Sequence, residues 1–293
     1  MTQLTGFPGE VIYRGQDGYA EAAGTPFAAG APEVIVCPAD ADAVTTALAH
    51  AERSGLPVTV RSGGHSMAGL STDDQGMIIN LAHLDEVTII DRSRRLVRAG
   101  GGATWGQVAA ALAPYGLGIT AGDTRQVGVG GLTLGGGIGW MVRRWGLAID
   151  SLAAAELVTA DGRQLVADPN QRAELFWALR GGGGNFGVVT GFEFTAQPVT
   201  SVLFGPIRYQ TEDVAAVIAG WHEAMRDADE NLTTTLNLIP SMMGQPASVL
   251  LQCCYATADT QAAQHALAPF RRLAPVAADD VTLRPYPQIL EDA

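Results

Sequence analysis

The chain has 293 residues, of which 47% are hydrophobic and only 16% charged, a balance that excludes a disordered chain and allows one large core or two ordinary ones. All 18 basic residues are arginine, which excludes a Walker-type phosphate lysine and any Schiff-base lysine. A formal net charge of −12 speaks against nucleic acid and anionic membrane and leaves a small molecule as the expected partner.

Residues 33–61 read as one αβ unit. A strand at 34–37 is followed by Asp40 as N-cap of a helix reaching Arg53 and stopping before Gly55, and residues 57–61 return as a strand. Val44, Leu48 and Ala51 share one face of that helix and should pack on a sheet. Short strands at 77–80, 87–90 and 96–99 read as a meander. Thr104 is the expected N-cap of a helix reaching Pro114, after which 115–140 is glycine-dominated and reads as a functional loop. A strand at 154–159, a helix at 171–180 and a strand at 188–195 follow.

Near Gln197-Pro198 the glycines thin out, and strand, helix (212–226), two strands (233–239 and 248–255) and a helix (260–273) suggest a second unit. The domains are therefore placed at 1–197 and 198–293. The chain closes with a loop-like Arg284-Pro285-Tyr286-Pro287, before any further strand, so the second unit is expected to be incomplete. Cys37, Cys253 and Cys254 form neither a disulfide framework nor a zinc site. The first ten residues lack a basic-then-apolar leader, and no segment approaches 18 uninterrupted apolar residues, which gives the expectation of a soluble, cytoplasmic protein.

The most informative segment is Arg61-Ser62-Gly63-Gly64-His65-Ser66, at the end of a strand. Paired glycines allow positive φ and close approach, so the loop suits a pyrophosphate, with Arg61 supplying charge. On chemistry alone His65 is open to three readings: general base, metal ligand or polar loop residue. Its four fellow histidines stand isolated, which argues against metal. A second glycine segment, 128–139, follows Ala121-Gly122-Asp123-Thr124 and fails as a Rossmann fingerprint. Gly182 to Gly187 matches that fingerprint in spacing but follows a helix and opens a strand, the wrong context.

These segments, in this order, resemble the FAD-linked oxidases of the vanillyl-alcohol oxidase and berberine-bridge-enzyme type, over about residues 30–197. The resemblance implies an α+β fold: a PCMH-type FAD-binding domain of two subdomains, followed by an incomplete α+β substrate domain. It implies FAD bonded through the 8α-methyl to His65. Many members carry a cysteine before the second glycine segment for a second flavin bond; Thr124 stands there, so a single link is expected. Leu132 replaces a histidine common in plant members, and Val127 falls where a small residue is associated with oxygen access. By the same resemblance Gly122, Thr124, Gly128, Gly131 and Gly135 line the flavin and pyrophosphate, and Val189 meets the adenine-side pocket. The implied activity is hydride transfer from an alcohol, sugar or amine carbon to the flavin, with reoxidation by O2 to hydrogen peroxide. No catalytic base is assigned. Two other readings stay open: a flavin-binding fragment without turnover, and a nucleotide or anion binder that uses the glycine nests without flavin.

Overall fold

In the computed structural model the described residues are 4–241 and 248–290. Strand β1 (Gly9–Tyr13), helix α1 (Tyr19–Ala23), strand β2 (Val34–Pro38), helix α2 (Ala41–Ser54) and strands β3 (Val58–Arg61) and β4 (Met77–Asn80) build the first sheet, ordered β1-β2-β4-β3. Strands β2, β4 and β3 run parallel, and β1 is antiparallel to β2. Asp40 accepts from the Ala43 N–H at 2.8 Å to start α2, and Gly55 ends it in the left-handed region at φ 65°. Val44, Ala47 and Ala51 then pack against Val34, Val36, Met77 and Ile79.

The expected meander is corrected by β4, which lies between β2 and β3 and does not pair with the strand after it. Its residues Met77, Ile78 and Ile79 are all fully buried, as a central parallel strand covered on both faces requires.

The second sheet is antiparallel, ordered β5-β6-β10-β8-β9, from β5 (Val87–Asp91), β6 (Leu96–Gly100), β8 (Leu152–Val158), β9 (Gln164–Ala167) and β10 (Val188–Thr195). Helix α3 (Trp105–Leu112) starts at a capping box in which Thr104 and Gln107 exchange side-chain and backbone hydrogen bonds. Strand β7 (Leu117–Gly118) and helices α4 (Val129–Leu134) and α5 (Val142–Trp145) follow, with α6 (Ala173–Leu179) between β9 and β10. Phe192 and Phe194 stack at 5.9 Å, and Trp105 meets Phe194 at 5.7 Å, at the centre of this core.

Short strand β11 (Gln197–Pro198) pairs with β7 and leads into the third sheet. There β12 (Ser201–Tyr209), α7 (Val214–Arg226), β13 (Leu232–Ile239), β14 (Ser248–Tyr255) and α8 (Thr260–Leu267) match the predicted order closely. The expected loop-like close is corrected: β15 (Val276–Asp279) and β16 (Thr282–Pro285) both pair with the free edge of β12. Pro285 occupies the last strand position at an edge, where a missing N–H costs nothing.

Strand β12 faces two ways. Leu203, Ile207 and Tyr209 point into a core shared with α7 and α8. Val202 and Phe204 instead join the core of the second sheet, together with Cys254, Tyr286 and Ile289. The Tyr286 hydroxyl donates to the Ile119 carbonyl at 2.7 Å, in a fully buried bond between residues 167 positions apart. Replacing Tyr286 with Phe is expected to lower unfolding stability by about 1–3 kcal/mol, because the Ile119 carbonyl is left buried without its donor, as read from the urea midpoint.

Candidate functional site

Strand β3 delivers Arg61 to the domain interior, where it is 7% exposed. Its Nη1 donates to the Ala22 carbonyl at 2.5 Å, Nη2 to Ala23 at 3.1 Å and Nε to Ser71 at 2.8 Å. Burial lowers its pKa from the usual arginine value. Every nitrogen of the guanidinium holds a backbone carbonyl, so beyond the charge expected of it the residue fastens the loop to the C-terminal end of α1.

Ser62 joins three segments with one hydroxyl. Its Oγ donates to the Gly101 carbonyl at 2.7 Å and accepts from the Gly130 N–H at 3.3 Å. Beside it the two glycine loops touch through their backbones. A Cβ on Gly63 would stand 2.2 Å from the Gly128 nitrogen, and one on Gly128 would stand 2.2 Å from the Gly63 nitrogen. Gly64 follows with φ +74°, and Ser66 closes the turn by accepting from the Leu70 N–H at its Oγ and the Gly69 N–H at its carbonyl. His65, half-buried, lies against the Phe27 ring at 5.8 Å between centroids. Among the described residues, the amide N–H groups of Gly63, Gly64 and His65 meet no protein acceptor.

The second glycine segment is pinned at its start. The Arg125 and Val127 carbonyls accept from the N–H groups of Gly106 and Trp105, and the Val129 N–H donates to Ala103. Helix α4 emerges from a stretch that sequence reading treats as loop. It places Gly131 and Gly135 one turn apart on an exposed face, and nothing stands within 4 Å of a Cβ built on Gly131. Gly122 is buried against Leu132, and Thr124 turns its hydroxyl to the Asp123 carboxylate at 3.0 Å. The fully buried hydroxyls of Thr120 and Thr133, in this same region of chain, have no partner among the described residues.

Val127 is half-buried against the second core, whereas Val189 is 4% exposed within it, its carbonyl 2.2 Å from where a Gly101 Cβ would sit. The turn of Gly100, Gly101 and Gly102 is a part of the site that sequence reading missed. Each of these glycines lies against a carbonyl, of Leu84, Val189 and Leu81 respectively, and three consecutive glycines after a strand were the available signal. Phe27 was also missed, since nothing local connects it to His65. Gly183–Phe186 forms a turn of 3₁₀ helix that contacts α4, so the Rossmann-like spacing there serves the same region without a Rossmann strand–helix context.

Arg143 and Arg144 lie beyond the cradle. Arg143 donates to the carbonyls of Ala228, Asp229 and Leu232, and Arg144 to Asn231 and Ala256, which ties α5 to the third sheet. Trp140 adds a T-shaped contact to Phe204 at 5.2 Å. Among the described residues no group of three or more His, Cys, Asp or Glu converges as a metal site would require. No helix there is long and apolar enough to cross a membrane.

The FAD binding domain family matches residues 32–168. An uncharacterised FAD-linked oxidoreductase of Bacillus subtilis is 35% identical over 71% of this chain and 47% of its own. The (R)-6-hydroxynicotine oxidase of Paenarthrobacter nicotinovorans is 29% identical over 88% of this chain and 57% of its own. Among solved structures, 6-hydroxy-D-nicotine oxidase from Arthrobacter nicotinovorans superimposes with a TM-score of 0.91 at 29% identity, covering 99% of this chain and 65% of that one. Xylooligosaccharide oxidase from Myceliophthora thermophila, solved with xylobiose, gives 0.83 at 26% identity over 96% and 60%. The chain thus spans about half the length of the curated relatives it matches.

Because Gly63 and Gly128 touch backbone to backbone, Gly128→Ala is expected to push the two loops apart and cost about 1–3 kcal/mol of stability, measured by urea unfolding.

Proposed function

Since the chain belongs to the FAD-linked oxidases of the vanillyl-alcohol oxidase and berberine-bridge type, we propose that it holds FAD in the glycine cradle, bonded once through His65, and oxidises a small-molecule alcohol, sugar or amine. The observation that carries this reading is the exposed, side-chain-free face of Gly131 and Gly135 beside loops whose N–H groups at Gly63, Gly64 and His65 lack protein acceptors. Such a surface lets a flat, anionic cofactor approach the backbone closely, and the free amides suit phosphate oxygens. When bound, the flavin supplies a hydride acceptor whose electrons pass to dioxygen, yielding hydrogen peroxide.

In this reading the protein's own residues bind, orient and shield. Ser62 holds the His65 loop against α4. Gly63 to Ser66 cradle phosphate or ring edge by their amides, and His65 contributes the imidazole nitrogen that anchors the ring. Thr124 carries a hydroxyl in place of a thiol, so the anchor is single. Gly122, Thr124, Gly128, Gly131 and Gly135 form the backbone wall, Val127 flanks the ring where oxygen arrives, and Val189 packs beneath the loop of Gly101 on the adenine side. The similar proteins are named for hydroxynicotine and for xylooligosaccharide, so both an amine-bearing and a sugar carbon stay within the proposed substrate class.

The deciding test is acid precipitation of the purified yellow protein followed by mass spectrometry of the tryptic peptide Ser62–Arg92. Flavin mass on that peptide is the expected result, and His65→Ala should release the flavin to the supernatant; acid-soluble flavin from the unmodified protein defeats the covalent reading. Gly131→Val probes the cradle itself. The apoprotein should keep its melting temperature, because a Cβ at this position meets nothing within 4 Å, while reversible FAD affinity falls at least about tenfold, or ~1.4 kcal/mol.

A further inference from the structure

Phe27 exposes a large apolar ring, 48% accessible, within the small-residue segment Gly24 to Gly30. Its ring contact among the described residues is the imidazole of His65, with centroids 5.8 Å apart and planes at 62°. The segment that carries it is stiff. Thr25 N–H donates to the Ala28 carbonyl at 2.8 Å, and the Thr25 Oγ1 accepts from the N–H groups of Ala28 at 3.0 Å and Phe27 at 3.3 Å.

It is also fastened to the strand end and loop that lead to the histidine. Arg61 holds the carbonyls of Ala22 and Ala23, and the Thr72 hydroxyl donates to the Ala23 carbonyl at 2.6 Å. The path from Arg61 through Ala23, Thr25 and Phe27 to His65 therefore closes on itself, since His65 is only four residues beyond Arg61 in the chain. An aromatic ring set on a rigid turn and directed at a histidine is poised to set the orientation of that histidine.

We propose that Phe27 is a positioning residue that holds the imidazole plane of His65 for bonding to the flavin, an inference that rests on the covalent reading above. A histidine ring rotates broadly about its last torsion, and bond formation needs the nitrogen lone pair, which lies in the ring plane, aimed at one carbon. In the attachment, an imidazole nitrogen of His65 bonds to the flavin 8α carbon. One C–H bond of that methyl breaks, its electron pair enters the isoalloxazine, the C–H and imidazole N–H protons are released to the ring and solvent, and dioxygen takes the electron pair and two protons as hydrogen peroxide. Phe27 takes no part in these transfers; it narrows the orientations from which they begin.

The test uses full-length apoprotein from riboflavin-starved cells, unmodified and as F27L and F27Y, with histidine ring protons observed by NMR and the His65 line assigned by its loss in H65N. FAD is then added, and acid-stable flavin is followed with time alongside reversible FAD affinity and melting temperature. In F27L the His65 line should move toward the free-histidine position and attachment should slow about tenfold or more, as a misaimed reacting group does. Affinity and melting temperature should hold, and F27Y should restore both the line and the rate. An unmoved His65 line, or an unmodified attachment rate in F27L, overturns the proposal while leaving covalent flavin in place. Acid-labile flavin in the unmodified protein overturns the covalent reading and this inference with it.

Discussion

The backbones of Gly63 and Gly128 approach so closely that neither position has room for a methyl group. That contact sets where the end of the first sheet meets the helix α4, because Gly63 lies two residues beyond β3 and Gly128 opens α4. Ser62 fixes the same junction with two hydrogen bonds, one to the turn after β6 and one to α4. The exposed face of α4 and the position of His65 follow from it: both are carried by short segments that meet at this crossing point. Glycine here is a requirement of packing rather than a source of flexibility.

The third sheet is attached in a different way. Alternation along β12 sends Phe204 toward the flavin unit and Leu203 toward its own helices, so a single strand takes part in two cores. Arg143 and Arg144 then bind carbonyls and an amide at the far edge of that sheet, and Tyr286 brings the end of the described chain back to Ile119. The glycine segment is thus held between a backbone contact on one side and a set of donor–carbonyl bonds on the other. A helix as short as α4, containing two glycines, owes its existence to such surroundings and not to its own propensity.

What the sequence showed plainly was local. Asp40 and Gly55 bound α2, Thr104 with Gln107 starts α3, and the β-rich run at Val188–Thr195 is a strand from end to end, because each signal is complete within a few residues. Sheet membership was not legible: β4 reads like any short apolar strand, and only its burial on both faces puts it between β2 and β3. The two late strands escaped notice because Thr282–Pro285 looks like a turn until the edge of β12 is there to pair with it. At the site, the loop 61–66 and the segment from Gly122 onward were recognisable from their glycines, and the fold brings them together. The engagement of Arg61 with three carbonyls was not, since its partners lie about 10 and 40 residues away; the same distance hid Phe27.

The chain contains no lysine, and its arginines divide by partner. Arg98 forms a two-point ion pair with Glu156 across the second sheet, a bond that fails when the carboxylate gains a proton. Arg61 and Arg143 instead bind backbone carbonyls, which do not titrate. The fastening of the histidine loop by Arg61 and the bonds of Arg143 across the seam to the third sheet therefore contain no carboxylate acceptor that acid could neutralise. Neutralising the chain's carboxylates would thus leave these arginine-to-carbonyl anchors in place.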